Sequence, residues 1–247
     1  MSASGPTMDK LESITEKIRQ DFDTRTASRD QALSQARQLT RACSLAIRAV
    51  HRDDVKEMQE HLTEAGRLAW LLTGGRVEHP DLYYAGYTQD ALKEFVEASV
   101  TCALIQNQPL QTPEDLGVTG FTYLNGLAEV VGELRRRTLD ILRHGYSQEA
   151  ERLLGIMDDI YSVLVTMDYP DAITNGLRRQ TDLARSIIEK TRGDVTFSLR
   201  GEHLEQAIGR LSAELNGDSS QPGSAAKTGG LDGSHWTQAS NGDDPAA

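Results

Sequence analysis

From Met8 to about Arg52 the chain has no proline or glycine, and its apolar residues recur at helical period. Leu11, Ile14, Ile18, Phe22, Ala32, Ala36, Leu39, Cys43, Ala46, Ile47 and Val50 return to one side when each residue turns about 100°. The pattern predicts one helix far longer than the usual three or four turns, the kind of length that serves a bundle or an oligomer seam. Asp53 and Asp54 offer caps for a second helix to about Leu72, with Val55, Met58, Leu62, Ala65, Ala69 and Leu72 inward. Thr73-Gly74-Gly75 stops it, and no GxGxxG or GK[ST] surrounds these glycines. Thr88 is expected to cap a helix that ends near Asn107; Pro109, Pro113 and Gly117 mark the following connection.

Further helices are expected over Phe121–His144 and Ser147–Met167, and, after the break at Pro170, over Asp171–Thr191. A short element after Gly193 and a last helix, Glu202 to about Leu215, complete the folded part. No strand alternation and no fixed-period repeat is present, so the fold class is all-α. Residues 1–7 form a disordered N-terminus, 8–215 one helical domain, and 216–247 a Gly/Ser/Asp-rich tail in which Trp236 is the only large residue. So little apolar surface leaves that tail unable to offset its own ordering entropy.

Two of these helices carry paired acids. Glu94 and Glu97 are spaced i,i+3, Glu129 and Glu133 i,i+4, and on a helix each spacing puts both carboxylates on one face. Side by side, the two helices would pool four carboxylates, for which a hard cation such as Mg²⁺ or Mn²⁺ is the natural partner. The plainer alternative is an ordinary solvated face, since the pairs fall roughly opposite Leu92, Phe95 and Val96 on one helix and Leu124, Leu127 and Val131 on the other. Two details favour convergence. Neither Glu94 nor Glu129 has a lysine four residues on. Gly126 and Gly132 flank the second pair, where glycine costs about 1 kcal/mol each and commonly marks the approach of another backbone.

Charge changes the picture less than it first suggests. A formal net charge of −11 and a pI near 5.0 argue against a simple nucleic-acid binder. Arginine nevertheless far outnumbers lysine, and abundant surface acid with little lysine suits a very salty cytoplasm, where it maintains solubility; stability measured against KCl concentration tests that halophilic expectation. Arg19, Arg37, Arg41, Arg48 and Arg52 lie along one face of the first helix, either as a phosphate-binding stripe for a single strand or as a solvated face paired to local acids. Arg136, on the face of Glu129 and Glu133, serves as a phosphate clamp or as a salt-bridge partner. The six histidines show no metal-ligand spacing, and no GxSxG or Cys–His nucleophile stands out. Cys43 and Cys102 fall on apolar faces, as in a reducing, cytoplasmic protein. Neither a secretory leader nor a membrane-spanning run is expected.

Taken in order, the stretch Arg29–Arg52, Glu94-Phe95-Val96-Glu97-Ala98, Tyr123–Leu134, Tyr161-Ser162, Asn175-Gly176-Leu177-Arg178 and Ser198-Leu199-Arg200-Gly201 resemble the translin family, and within it the translin-associated factor X branch of archaeal type. The resemblance covers about residues 8 to 205. It implies a bundle of about seven helices that assembles into a hollow homo-octamer around single-stranded RNA, or single-stranded DNA, with lumenal and outer surfaces of different sign. It also implies a Mg²⁺-dependent endoribonuclease whose metal ligands map onto Glu94, Glu97 and Glu133. Where the family has an Asp four residues before the last of these, this chain has Glu129. Arg37, Arg41, Arg48 and Arg136 are the expected nucleic-acid contacts. The translin branch, which lacks the full acid set and binds without cutting, supplies the alternative of a non-catalytic binder.

Overall fold

The computed structural model describes residues 6–74 and 79–218. The expected disordered N-terminus and C-terminal tail fall almost wholly outside the described residues, as does Gly75. Within the described residues every regular element is helical, as the periodicity requires. Six long helices, α1 (Pro6–His51), α2 (Val55–Gly74), α4 (Gly86–Ile105), α6 (Gly120–Leu142), α7 (Gln148–Leu164) and α9 (Leu177–Asp218), are joined by single turns α3 (Pro80–Tyr83), α5 (Pro113–Leu116) and α8 (Asp171–Thr174). None of the described helices is long and apolar enough to cross a membrane.

The chain parts into two units, Met1–His203 and Leu204–Ala247. In the first, α1 packs on α2 and α4, α4 on α6, and α6 on α7. Leu39, Leu92, Val96, Val130, Leu134, Leu153, Met157 and Leu177 are among the fully buried side chains of this core. Each such aliphatic residue contributes roughly 1.5–3 kcal/mol by leaving water. In the second unit the described helical residues are exposed, including Leu204, Ile208, Leu211 and Leu215. The opening of α1 is also exposed on every side, with Met8, Leu11, Ile14, Ile18 and Phe22 forming an uncovered stripe. The apolar seam expected along α1 is therefore core only from about Ala36 onward.

Local chemistry explains most boundaries. Asp54 accepts from Glu57 N at 3.0 Å to start α2, as its position suggested. Ser147 accepts from Glu149 N to start α7. Two boundaries differ from expectation. α4 begins at Gly86, behind Ala85, and Thr88 lies buried in its first turn with its hydroxyl donating back to Leu82 O at 2.8 Å. The hydroxyl ties α3 to α4 instead of capping. The expected separate elements after Pro170 are one turn, α8, and one unbroken helix, α9. Gly193 and Gly201 have open space around them and no positive φ, and an isolated glycine costs too little, about 1 kcal/mol, to end a helix without a proline.

α4 and α6 pack closely at Gly126. A Cβ placed on Gly126 would lie 2.7 Å from Val96 Cβ and 2.9 Å from Lys93 O. Only glycine lets α6 approach the α4 backbone this closely. Gly132, expected to mark a similar approach, has nothing within 4 Å of an added Cβ; six residues beyond Gly126, it lies about 240° round the helix from it.

Candidate metal centre

The Gly126 contact sets the register between the two acidic helices. Glu129, one turn beyond Gly126 on α6, comes beside Glu94 and Glu97 of α4. One oxygen from each of the three carboxylates lies within 4.8 Å of the others, and all three residues are partly buried. The three carboxylates thus meet in one half-buried group, as the helix spacing allowed.

Burial and mutual repulsion then act on their acidity. Desolvation, followed by the negative charges of Glu94, Glu129 and Glu133, pushes the Glu97 carboxyl up to about 8. Desolvation raises Glu94 as well. Cys43, on α1 behind the cluster, has its thiol raised by burial and further by Glu94 and Glu97, which makes it an inert core residue.

Glu133 stands in a different environment. Its Oε2 lies 2.6 Å from His51 Nε2, and the Arg136 guanidinium is 3.6 Å from the same oxygen. The His51 hydrogen bond is the main cause holding the Glu133 carboxyl below its ordinary range. Glu133 is thus outside the group of oxygens within 4.8 Å, although its charge still raises Glu94 and Glu97. Of the two roles considered for Arg136, the salt bridge to Glu133 is the one present. Arg135 pairs with Asp194 and Arg137 with Asp53.

Two residues with no conspicuous signal complete the site. Lys93 Nζ meets Glu129 Oε1 at 2.7 Å, and Gln180 Nε2 of α9 donates to the same oxygen at 3.1 Å. Burial works to lower the lysine, but the bond to Glu129 and the surrounding acids outweigh it and hold the ammonium above its ordinary value. The one available hint was scarcity: Lys93 is the only lysine between Lys56 and Lys190, and it directly precedes Glu94. His51 had no such hint, because 82 residues separate it from Glu133. Its side chain is only 4% exposed, and its Nδ1 is buried with no partner among the described residues.

Arg37, Arg41 and Arg48 are exposed and form no ion pair among the described residues, whereas Arg19 and Arg52 pair with Glu16 and Glu57. Their spacing keeps the three on one side of α1. Arg48 and His51, at i,i+3, are neighbours on the helix surface. His51 in turn contacts Glu133.

An all-oxygen donor set of three carboxylates fits a hard divalent cation such as Mg²⁺ or Mn²⁺. Without one, the site has a pH signature. Glu97 has a folded pKa of about 8 against 4.5 unfolded. Between those values the native state binds more protons than the unfolded state, so stability falls as pH rises. The expected slope is at most about 1.4 kcal/mol per pH unit, lost once pH passes about 8. Urea midpoints of the metal-free protein from pH 5 to 9 check this; a midpoint rising over that range would contradict the assignment.

No protein-family model matches the chain. An uncharacterised protein of Methanocaldococcus jannaschii is 31% identical over 190 residues, spanning 76% of this chain and 84% of that protein. AfC3PO, a translin-type protein solved alone and with duplex RNA, superposes with a TM-score of 0.71 at 32% identity, covering 76% of this chain and 97% of that one. NeC3PO in its apo form shares the fold, with a TM-score of 0.65 at 21% identity over 80% of this chain and 100% of that one. Sequence and fold agree across nearly the whole of AfC3PO, and on that ground the chain belongs to the translin family.

Proposed function

We propose that this protein binds RNA and cleaves it as a Mg²⁺- or Mn²⁺-dependent endoribonuclease, acting on single strands and assembling as a homo-oligomer of the translin type. The observation that carries this reading is the meeting of Glu94, Glu97 and Glu129 within 4.8 Å. AfC3PO was solved with duplex RNA, which supports RNA as the ligand here; single-stranded DNA is a second substrate to test. The exposed apolar stripes of α1 and of the end of α9 support association of copies, and an octamer follows the family resemblance.

In this mechanism Glu94, Glu97 and Glu129 would hold the cation, and Lys93 and Gln180 fix the Glu129 carboxylate. A bound divalent cation supplies Lewis acidity, which acidifies water towards neutrality and offsets charge building on phosphoryl oxygens. Arg37, Arg41 and Arg48 hold the strand by its phosphates, in a stripe long enough to give binding a strong salt dependence. His51 orients Glu133 at the edge of the site, and Arg136 shares that carboxylate.

One feature favours the alternative of a translin-like binder without catalysis. Lys93 already neutralises Glu129, so the triad has a resident cation of its own. Labelled single-stranded RNA and duplex RNA incubated with Mg²⁺, Mn²⁺ or EDTA separate the two. Products of the single strand with metal only are expected; a mobility shift without products in any condition establishes the binder, and no shift at any salt removes both.

A further inference from the structure

A second, smaller site adjoins the acids. A cavity of about 130 Å³, room for roughly four waters or one ring-sized group, opens between α4, α6 and the α8–α9 junction. Lys93 and Gln180, the two partners of Glu129, both line it, together with Asp90, Phe121, Asn125, Asn175 and Gln89.

The hydrogen bonds fix which way these amides face. Gln89 donates to Tyr83 O at 2.7 Å and accepts from Thr122 Oγ1 at 2.6 Å. Asn125, only 6% exposed, donates through Nδ2 to Phe121 O and Thr174 O, both at 2.8 Å. With both amide hydrogens committed to carbonyls, the amide cannot be flipped without losing both bonds, and Oδ1 accepts from none of the described residues. Gln180 Nε2 donates to Glu129 Oε1, which orients its amide, and its Oε1 accepts from none of the described residues. The cavity thus presents two amide acceptors and the Asp90 carboxylate, together with the Lys93 ammonium and the Phe121 ring.

From this lining we infer that the cavity is a subsite for one unstacked nucleobase carrying an exocyclic amino group, next to the metal triad. The inference rests on the nucleic-acid reading above and adds base selection to it. An amino group donates to Asn125 Oδ1 and Gln180 Oε1, the ring packs on Phe121, and single-stranded bases present this edge when splayed from the stack. Uracil has a carbonyl where cytosine has the amino group, so it sets an acceptor against two acceptors. The subsite therefore discriminates cytosine from uracil, two rings of nearly equal size.

Fluorescence anisotropy of the full chain with oligocytidylate and oligouridylate of equal length, in EDTA, reads this without cleavage. Oligocytidylate is expected to bind about five- to tenfold tighter, the worth of one net hydrogen bond. Gln180→Met is expected to lower oligocytidylate affinity to about that of oligouridylate, and Phe121→Leu to weaken oligocytidylate binding, each with an unchanged far-ultraviolet circular dichroism spectrum. Equal affinities in the unsubstituted protein overturn the subsite and leave RNA binding standing. A preference that survives both substitutions shows that the base is read elsewhere, and overturns it too. Binding of neither oligonucleotide, nor of any other RNA, removes the nucleic-acid reading and this inference with it.

Discussion

Glu97→Gln is expected to abolish divalent-cation binding and to cut metal-dependent RNA cleavage by on the order of a thousandfold or more, while RNA retention persists. A ligating carboxylate accounts for several kcal/mol of the charge stabilisation a metal delivers, and about 4 kcal/mol is a thousandfold in rate. The same substitution has an opposite effect on the fold. Glu97 is half-buried, and desolvation, followed by the charges of three other acids, pushes its carboxyl up to about 8. Glutamine keeps the shape and removes the charge, so at pH 8 and above the metal-free variant is expected to be the more stable, with the fall in stability between pH 5 and 8 flattened. Loss of function together with gain of stability is the signature of a residue strained for chemistry. Manganese binding followed by electron paramagnetic resonance, RNA cleavage and urea unfolding give the three readouts. A variant that cuts RNA normally, or is less stable than its parent at pH 8, would falsify the assignment of Glu97 to the metal.

Gly126→Ala is expected to reach the same site from behind. Its new methyl would stand 2.7 Å from Val96 Cβ and 2.9 Å from Lys93 O. Val96 is fully buried and the carbonyl belongs to the α4 backbone, so neither can move aside locally and the helices must separate. Overpacking of this kind costs roughly 1–3 kcal/mol. Separation also carries Glu129 away from Glu94 and Glu97, since Glu129 is fixed to α6 only one turn later. Metal affinity is therefore expected to fall more than tenfold even where the variant remains folded. Gly132→Ala is the matched control, because its Cβ meets nothing within 4 Å; it is expected to stabilise slightly through helix propensity. Equal metal affinity in the two alanine variants would show that the α4–α6 approach does not set the site.

Much of the architecture was legible in the residues. The 3.6-residue apolar period located the first five long helices, and caps such as Asp54 and Ser147 placed their starts, because both effects act within a few residues of chain. The same locality limited the reading. The separate helices expected after Pro170 are the single turn α8 and one continuous α9, because nothing between Leu177 and Asp218 is costly enough to break a helix. Thr88 looked like a cap and is instead a tether to Leu82 O, a role set by where α3 lies. The exposed start of α1 carries the same apolar period as its buried end, and period alone does not say what covers a face.

The candidate site divides along the same line. The sequence by itself determined that Glu94 with Glu97, and Glu129 with Glu133, share a helix face, since i,i+3 and i,i+4 spacing follows from helical geometry. It also determined that Arg37, Arg41 and Arg48 form one stripe. Which of those acids meet was decided only by tertiary structure, through the close α4–α6 approach at Gly126. That approach brings Glu129 to Glu94 and Glu97, while His51, 82 residues away, takes Glu133. Lys93 and Gln180 became partners of Glu129 for the same reason. Pairing between helices depends on relative translation and rotation, and those are set by the packing of the whole core, which no short stretch of chain encodes.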